Sequence, residues 1–211
     1  AWKKGRVKKL EAYCSKLCSI IPFESEIYND KNKITYVGHP LLDEIPLFKL
    51  RADETGVIAF LPGSRKSEIR SLFPIYKELA SKIEGKEKLL VIPPHYDYRE
   101  IAEIYGDIHD FKICRDTYEA FEKSEFAFVC SGTATLEAAL VGVPFVLAYK
   151  AKAIDYWIAK QFVKLKHVGL ANLIFDFEKM EPLHQEFLQE EVTVDNLFQA
   201  YETTDKEAFF N

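Results

Sequence analysis

The 211-residue chain has no long hydrophobic run. No apolar stretch approaches the roughly 18 residues of a membrane-spanning helix, and no secretory signal pattern opens the chain, so a cytoplasmic location is expected. Cysteine is sparse. The four cysteines, Cys14, Cys18, Cys114 and Cys130, lie in or beside apolar segments, and Cys14 and Cys18 have no second close pair with which to complete a zinc site. Buried reduced thiols are expected. Positive charge is also short, with 28 Lys and Arg against 33 Asp and Glu and a net charge of −5. No whole-chain field would draw the protein to nucleic acid, and any attraction to anionic lipid must be local.

Several signatures are missing as well. In "FLPGSRKSEI" the Lys66-Ser67 pair suggests a triphosphate-binding loop, but Arg65 and Phe60 stand where that loop needs glycines. No G-x-G-x-x-G follows a strand, so a nicotinamide or flavin dinucleotide is not indicated. There is no D-x-D pair to hold a metal-bound diphosphate, Asp176-x-Glu178 being the nearest approach, and no metal is expected. The chain begins Ala1-Trp2-Lys3 without an initiator methionine, which points to a truncated chain.

From residue 56 onward, short apolar runs alternate with helical patterns. Strands are expected at Val57–Leu61, Leu89–Pro93, Phe111–Cys114, Phe126–Cys130 and Phe145–Ala148. Helices are expected at Glu68–Glu84, Tyr98–Tyr105, Thr117–Lys123 and Thr133–Val141. In the first of these, Ile69, Leu72, Phe73, Tyr76, Leu79 and Ile83 recur every three or four positions and share one face. Strands alternating with helices need crossover connections, so the fold class is α/β, a doubly wound, mostly parallel Rossmann-like sheet covered on both sides. Residues 1–45 read as the end of a preceding domain and the start of a linker. Residues 46–190 read as the Rossmann-like domain, and 191–211 as a helical tail whose helix Val194–Tyr201 starts after Thr193.

Ligands of open parallel sheets bind at the carboxyl ends of the strands, near a topological switch point. Two turns sit at such ends. At Pro62-Gly63-Ser64-Arg65 the backbone turns sharply, and helix N–H groups with the Arg65 fork could hold phosphate; an ordinary turn capped by Ser67 is the other reading. At Ser131-Gly132-Thr133 small hydroxylated residues surround a glycine at a helix start, the usual arrangement for binding an anion. Glu137, one turn further along, either accepts hydrogen bonds from ribose hydroxyls or is a carboxylate favoured by the helix dipole. Together the turns suggest a nucleotide diphosphate held between two helix ends.

"LPGSRKSEI" and "CSGTATLEAALVGVP", preceded by "VGHPLLDEIP" and followed by "GLANLIF" and "EFLQEEVT", resemble the lipid-A-disaccharide synthase family in order and spacing. The resemblance extends to the opening "AWKKGRVKKL" and to "PFE" at 22–24. It implies the C-terminal part of a two-domain, B-type glycosyltransferase. The implied reaction joins UDP-2,3-diacylglucosamine to 2,3-diacylglucosamine 1-phosphate (lipid X), inverting the sugar to a β-1,6 linkage, without a metal or other cofactor. By the same resemblance Gly63, Ser64 and Arg65 match the first donor loop, and Ser131, Gly132, Thr133, Thr135 and Glu137 the second. Asn172 and Gln189 match polar positions facing the crevice, although Gln185 stands where the family has proline; Asn172 has a plain alternative as a turn amide.

Inverting transfer needs a base for the acceptor hydroxyl and positive groups for the leaving diphosphate. Arg65 and the helix ends supply the second. No side chain makes a convincing base: His39, in Gly38-His39-Pro40, either fixes a linker turn or is catalytic, and the family's carboxylate is expected in a half not present. The isolated chain is therefore expected to be inactive. Residues 150–167 combine Lys150, Lys152, Lys160, Lys164 and Lys166 with Tyr156, Trp157 and Phe162, as either a surface for peripheral membrane contact or a core helix with solvated lysines. Self-association is a further expectation. A UDP-sugar epimerase and a non-catalytic nucleotide-sugar binding module remain as alternatives.

Overall fold

The computed structural model describes residues 4–150 and 166–210. The basic, aromatic helix expected over 150–167 lies almost wholly outside the described residues. The chain opens with α1 (Lys4–Tyr13), β1 (Leu17–Ser19), β2 (Ile34–Tyr36) and α2 (Leu41–Glu44). β1 and β2 form a two-stranded parallel sheet beside a small cluster of Val7, Tyr28 and Ile34. The Glu11 carboxylate ties α1 to this sheet's crossover by accepting from the backbone N–H groups of Asn29 and Asp30 at 2.5 and 3.0 Å.

The main sheet contains β3 (Val57–Leu61), β4 (Glu87–Val91), β5 (Lys112–Cys114), β6 (Phe126–Cys130), β7 (Phe145–Tyr149) and β8 (Glu186–Leu188). Its order is β5-β4-β3-β6-β7-β8, and every pairing is parallel. Between the strands run α3 (Lys66–Lys82), α4 (Tyr98–Tyr105), α5 (Thr117–Lys123), α6 (Thr133–Val141) and α7 (Leu170–Phe177), and α8 (Val194–Thr203) follows β8. Among the described residues no helix is long and apolar enough to cross a membrane.

The two-residue period of a strand sorts the core into two layers. Ile58 and Phe60 of β3, with Phe126 and Phe128 of β6, meet Leu72, Tyr76 and Leu79 of α3, Ile101 of α4 and Leu197 of α8. Ala59 and Leu61, with Ala127 and Val129, face the opposite way onto Phe121 of α5 and Ala138 and Val141 of α6. Aromatic rings fill the first layer. Phe60 stacks on Phe128 with centroids 5.2 Å apart and meets Tyr76 and Phe111 edge-on at 5.7 and 5.5 Å.

The doubly wound parallel sheet is as the sequence pattern predicts, with differences at the edges. β4 begins at Glu87, not Leu89, because Glu87 and Lys88 pair with Val57 and Ile58. α3 begins at Lys66 and is preceded by Arg65 as its N-cap, so Ser67 is inside the helix and does not cap it. β8 was not foreseen; its three half-buried residues offer no alternating pattern to read. Thr193 caps α8 as expected, its hydroxyl accepting from Asn196 N–H at 3.2 Å.

Candidate functional site

β3 is followed in the sheet by β4 and β5 on one side, and the chain then returns to place β6 on β3's other side. The switch point therefore lies between β3 and β6, where doubly wound sheets open a crevice at the strands' carboxyl ends. A cleft of about 250 Å³ occupies this place. Its walls come from the turn after β3 (Leu61, Gly63, Ser64), the turn after β4 (Val91, Pro93, Pro94), Arg115 and Thr117 after β5, and the segment from Cys130 to Ala134 with Glu137 after β6. Three hollows are larger: one of about 340 Å³ is lined by apolar residues such as Tyr36, Leu136 and Phe175, and two, of about 620 and 770 Å³, are bounded by Glu87 and Lys112 and by Phe145 and Glu186. The residues bounding those last two stand at the amino ends of their strands, the opposite edge of the sheet.

The turn after β3 is already filled by the chain itself. Gly63 has φ +112, and a Cβ there would lie 2.7 Å from Glu68 Oε2 and 3.2 Å from Cys130 Sγ. Only glycine fits. The buried Glu68 carboxylate folds back over the helix start, where Oε2 accepts from the N–H groups of Ser64 and Arg65, both at 3.2 Å, and Oε1 accepts from Arg65 Nη1 at 2.6 Å. The negative charge favoured at a helix N-terminus is thus built in. The Arg65 side chain is 77% exposed and lies outside the cleft lining. Its pairing with Glu68 raises its already high pKa. The Tyr96 hydroxyl donates to Ser64 O at 2.9 Å and fastens this turn to the one after β4.

The turn after β6 is open. Gly132 is the N-cap of α6 with φ +142, and among the described residues no side chain caps the helix and a Cβ on Gly132 would meet nothing within 4 Å. The first N–H groups of a helix have no intrahelical partner, so α6 presents donors here beside half-buried Ser131 and exposed Thr133. Glu137 is half-buried in the cleft wall, and no hydrogen bond or ion pair engages it among the described residues. Burial first, then the nearby carboxylates Asp116 and Glu44, push its pKa up to about 7.

Besides Arg65, three residues of the expected set are placed differently. Thr135 is fully buried; its hydroxyl donates to Gly132 O at 2.8 Å and accepts from Leu170 N–H at 3.2 Å, so it braces the turn from behind. Asn172 does not face the crevice. It is fully buried, its Oδ1 accepting from Leu183 N–H at 2.9 Å and its Nδ2 donating to His184 O and Glu186 Oε1, both at 2.9 Å. Glu186 opens β8, so Asn172 locks α7 to the sheet's amino edge. Gln189 follows the carboxyl end of β8, buried at 7% exposure with φ +53, and does not line the cleft. Strain of this kind in a non-glycine residue persists only where surrounding structure enforces it.

Sequence reasoning missed Glu68, Tyr96 and Arg115. Glu68 stands three residues after the N-cap, but that cap is an arginine, which hides the usual capping-box signature. His39 fixes a turn, its Nδ1 accepting from Leu41 N–H at 3.2 Å. Among the described residues no three His, Cys, Asp or Glu side chains are grouped to hold a metal.

Comparison with known proteins gives this geometry a family. The family model for lipid-A-disaccharide synthetase matches residues 1–208. The lipid-A-disaccharide synthase of Campylobacter jejuni subsp. jejuni serotype O:2 is 55% identical over 219 residues, covering all of this chain and 58% of the relative. The enzyme of the same name from Helicobacter pylori strain Shi470 is 45% identical over 223 residues, covering all of this chain and 61% of the relative. The chain thus spans about three-fifths of the length of the curated relatives it matches. Among solved structures, the Methanocaldococcus jannaschii UDP-GlcNAc 2-epimerase, in complex with UDP-GlcNAc and UDP, superposes with a TM-score of 0.54 at 14% identity, covering 93% of this chain and 57% of that one. The calicheamicin glycosyltransferase superposes at 0.52 with 13% identity, covering 93% and 48%. At such identities the likeness is one of fold. The family match over nearly the whole chain places it in the lipid-A-disaccharide synthetase family.

Proposed function

We propose that this chain is the nucleotide-sugar donor half of a lipid-A-disaccharide synthase, with residues 46–190 as the donor-binding unit and 1–45 belonging to the acceptor side. The complete protein would transfer 2,3-diacylglucosamine from its UDP donor to 2,3-diacylglucosamine 1-phosphate, releasing UDP, at the cytoplasmic side of a membrane. The observation that carries this reading is the open turn Ser131-Gly132-Thr133 at the switch point, in a chain matched along its length by the family.

In this reading the diphosphate lies at the start of α6, where orphan N–H groups and the helix dipole favour negative charge. The Ser131 and Thr133 hydroxyls add donors. Glu137, once ionised, accepts hydrogen bonds from the ribose hydroxyls. As the sugar departs, charge builds on the leaving diphosphate. Donors already fixed in place stabilise it without reorganising. Arg65 contributes from the rim, since Glu68 occupies only one nitrogen of its fork. No metal is invoked, because the chain offers no D-x-D pair. The base that accepts the acceptor's proton is assigned to the part of the relatives' length that this chain does not span.

The test is made with the chain as it stands and with a version extended to the relatives' full length. Each is incubated with both substrates, and products are read by mass spectrometry. Disaccharide 1-phosphate from the extended protein and none from the chain alone is the expected result. Product from the chain alone would overturn the division of labour, and epimerised UDP-sugar without disaccharide would overturn the transferase reading.

A further inference from the structure

Among the described residues the switch-point cleft has a single cation in its lining, and neither glycine turn supplies it. It is Arg115, half-buried, in the residue after β5. Its Nη1 donates to Pro93 O at 3.1 Å and Tyr96 O at 2.9 Å, so two carbonyls of the neighbouring turn hold the guanidinium in place. Its Nε and Nη2 have no partner among the described residues, and no described carboxylate forms an ion pair with it. Arg65 is the contrast, exposed at the rim and paired with Glu68.

Retaining a half-buried charge without a counter-ion costs stability, and the planar fork is suited to phosphate oxygens. A guanidinium held still by neutral acceptors, with donors unoccupied and no anion of its own, lacks one thing, an anion from outside. Among the described residues the only acid lining the cleft is Glu137. We propose that Arg115 is a further donor-binding residue, placing its remaining N–H groups on the anionic part of the bound nucleotide opposite the open turn of α6. This rests on the nucleotide-site reading above.

Calorimetric titration of the 211-residue chain tests it, with UDP and with uncharged uridine, comparing wild type, Arg115→Ala, Arg115→Lys and Arg70→Ala. Melting temperatures establish that each variant is folded. Arg115→Ala is expected to weaken UDP about tenfold to a hundredfold while leaving uridine within about twofold. Arg115→Lys keeps the charge and should lose less. Arg70→Ala removes an exposed cation that pairs with Glu103 and lies outside the cleft lining, and should hold UDP affinity within about threefold. A folded Arg115→Ala that binds UDP as wild type does, or an Arg70→Ala that loses as much, would overturn the inference and leave the nucleotide site standing. Failure of the folded wild type to bind UDP would remove both.

Discussion

The turns after β3 and β6 look alike in sequence: a strand, a glycine, small or hydroxylated residues, and a helix. In structure they are opposites. The first is closed by its own carboxylate, Glu68, which takes the N–H groups of Ser64 and Arg65. The second has no side-chain cap. A glycine at a strand end therefore has two distinct uses. Gly63 is required because the interior leaves no room for a Cβ, whereas Gly132 has space around it. The first turn is a piece of scaffold beside the site, and the second is the site's open face.

Replacing each glycine by alanine should break the symmetry most. Gly63→Ala forces a Cβ against Glu68 and Cys130 at φ +112 and should cost about 3 kcal/mol of stability, measured by urea unfolding. Gly132→Ala meets no neighbour and should cost about 1–2 kcal/mol from backbone strain alone, yet abolish UDP binding by the folded protein. Equal stability losses would contradict the contrast.

Glu68→Gln sharpens it. The amide oxygen still accepts from the backbone, but the charge at the helix start and the pairing with Arg65 are lost, so about 1 kcal/mol of stability should go. UDP affinity should stay within about threefold of wild type. A large gain in affinity would mean that Glu68 had been guarding a second anion site.

The smallest effect is one of pH. Glu137 has its pKa raised from 4.5 to about 7, mainly by burial, so the folded chain holds this proton more tightly than the unfolded chain. Its contribution to stability is present below about 4.5 and is lost as pH rises through about 7. Glu137→Gln should flatten the stability profile over that window. UDP affinity should rise more between pH 6 and pH 8 in wild type than in the variant, whose remaining rise comes from ionisation of the terminal phosphate. An identical pH profile in both would detach Glu137 from the nucleotide.

Much of this was written in local patterns. Val57–Leu61, Phe126–Cys130 and the 3.6-residue face of α3 announce a parallel sheet with helices on both sides. The edge strand β8 was not legible, because three half-buried residues carry no periodicity. Thr135 could have been placed from its phase. Thr133 and Glu137 share a helical face, and a residue two positions after Thr133 points the other way, into the brace with Leu170. Asn172 could not have been: its partners, Leu183, His184 and Glu186, come together only when β8 pairs with β7. Arg115 was invisible for the same reason, since its meaning depends on the cleft and not on its neighbours in the chain.

The most direct measurement is a calorimetric titration of UDP into the folded chain, with and without magnesium, for wild type and Gly132→Ala. A single site in wild type, insensitive to magnesium and lost in the variant, is the predicted result. No binding by the folded wild type, or binding that survives in Gly132→Ala, would contradict the assignment of the open turn as the diphosphate site.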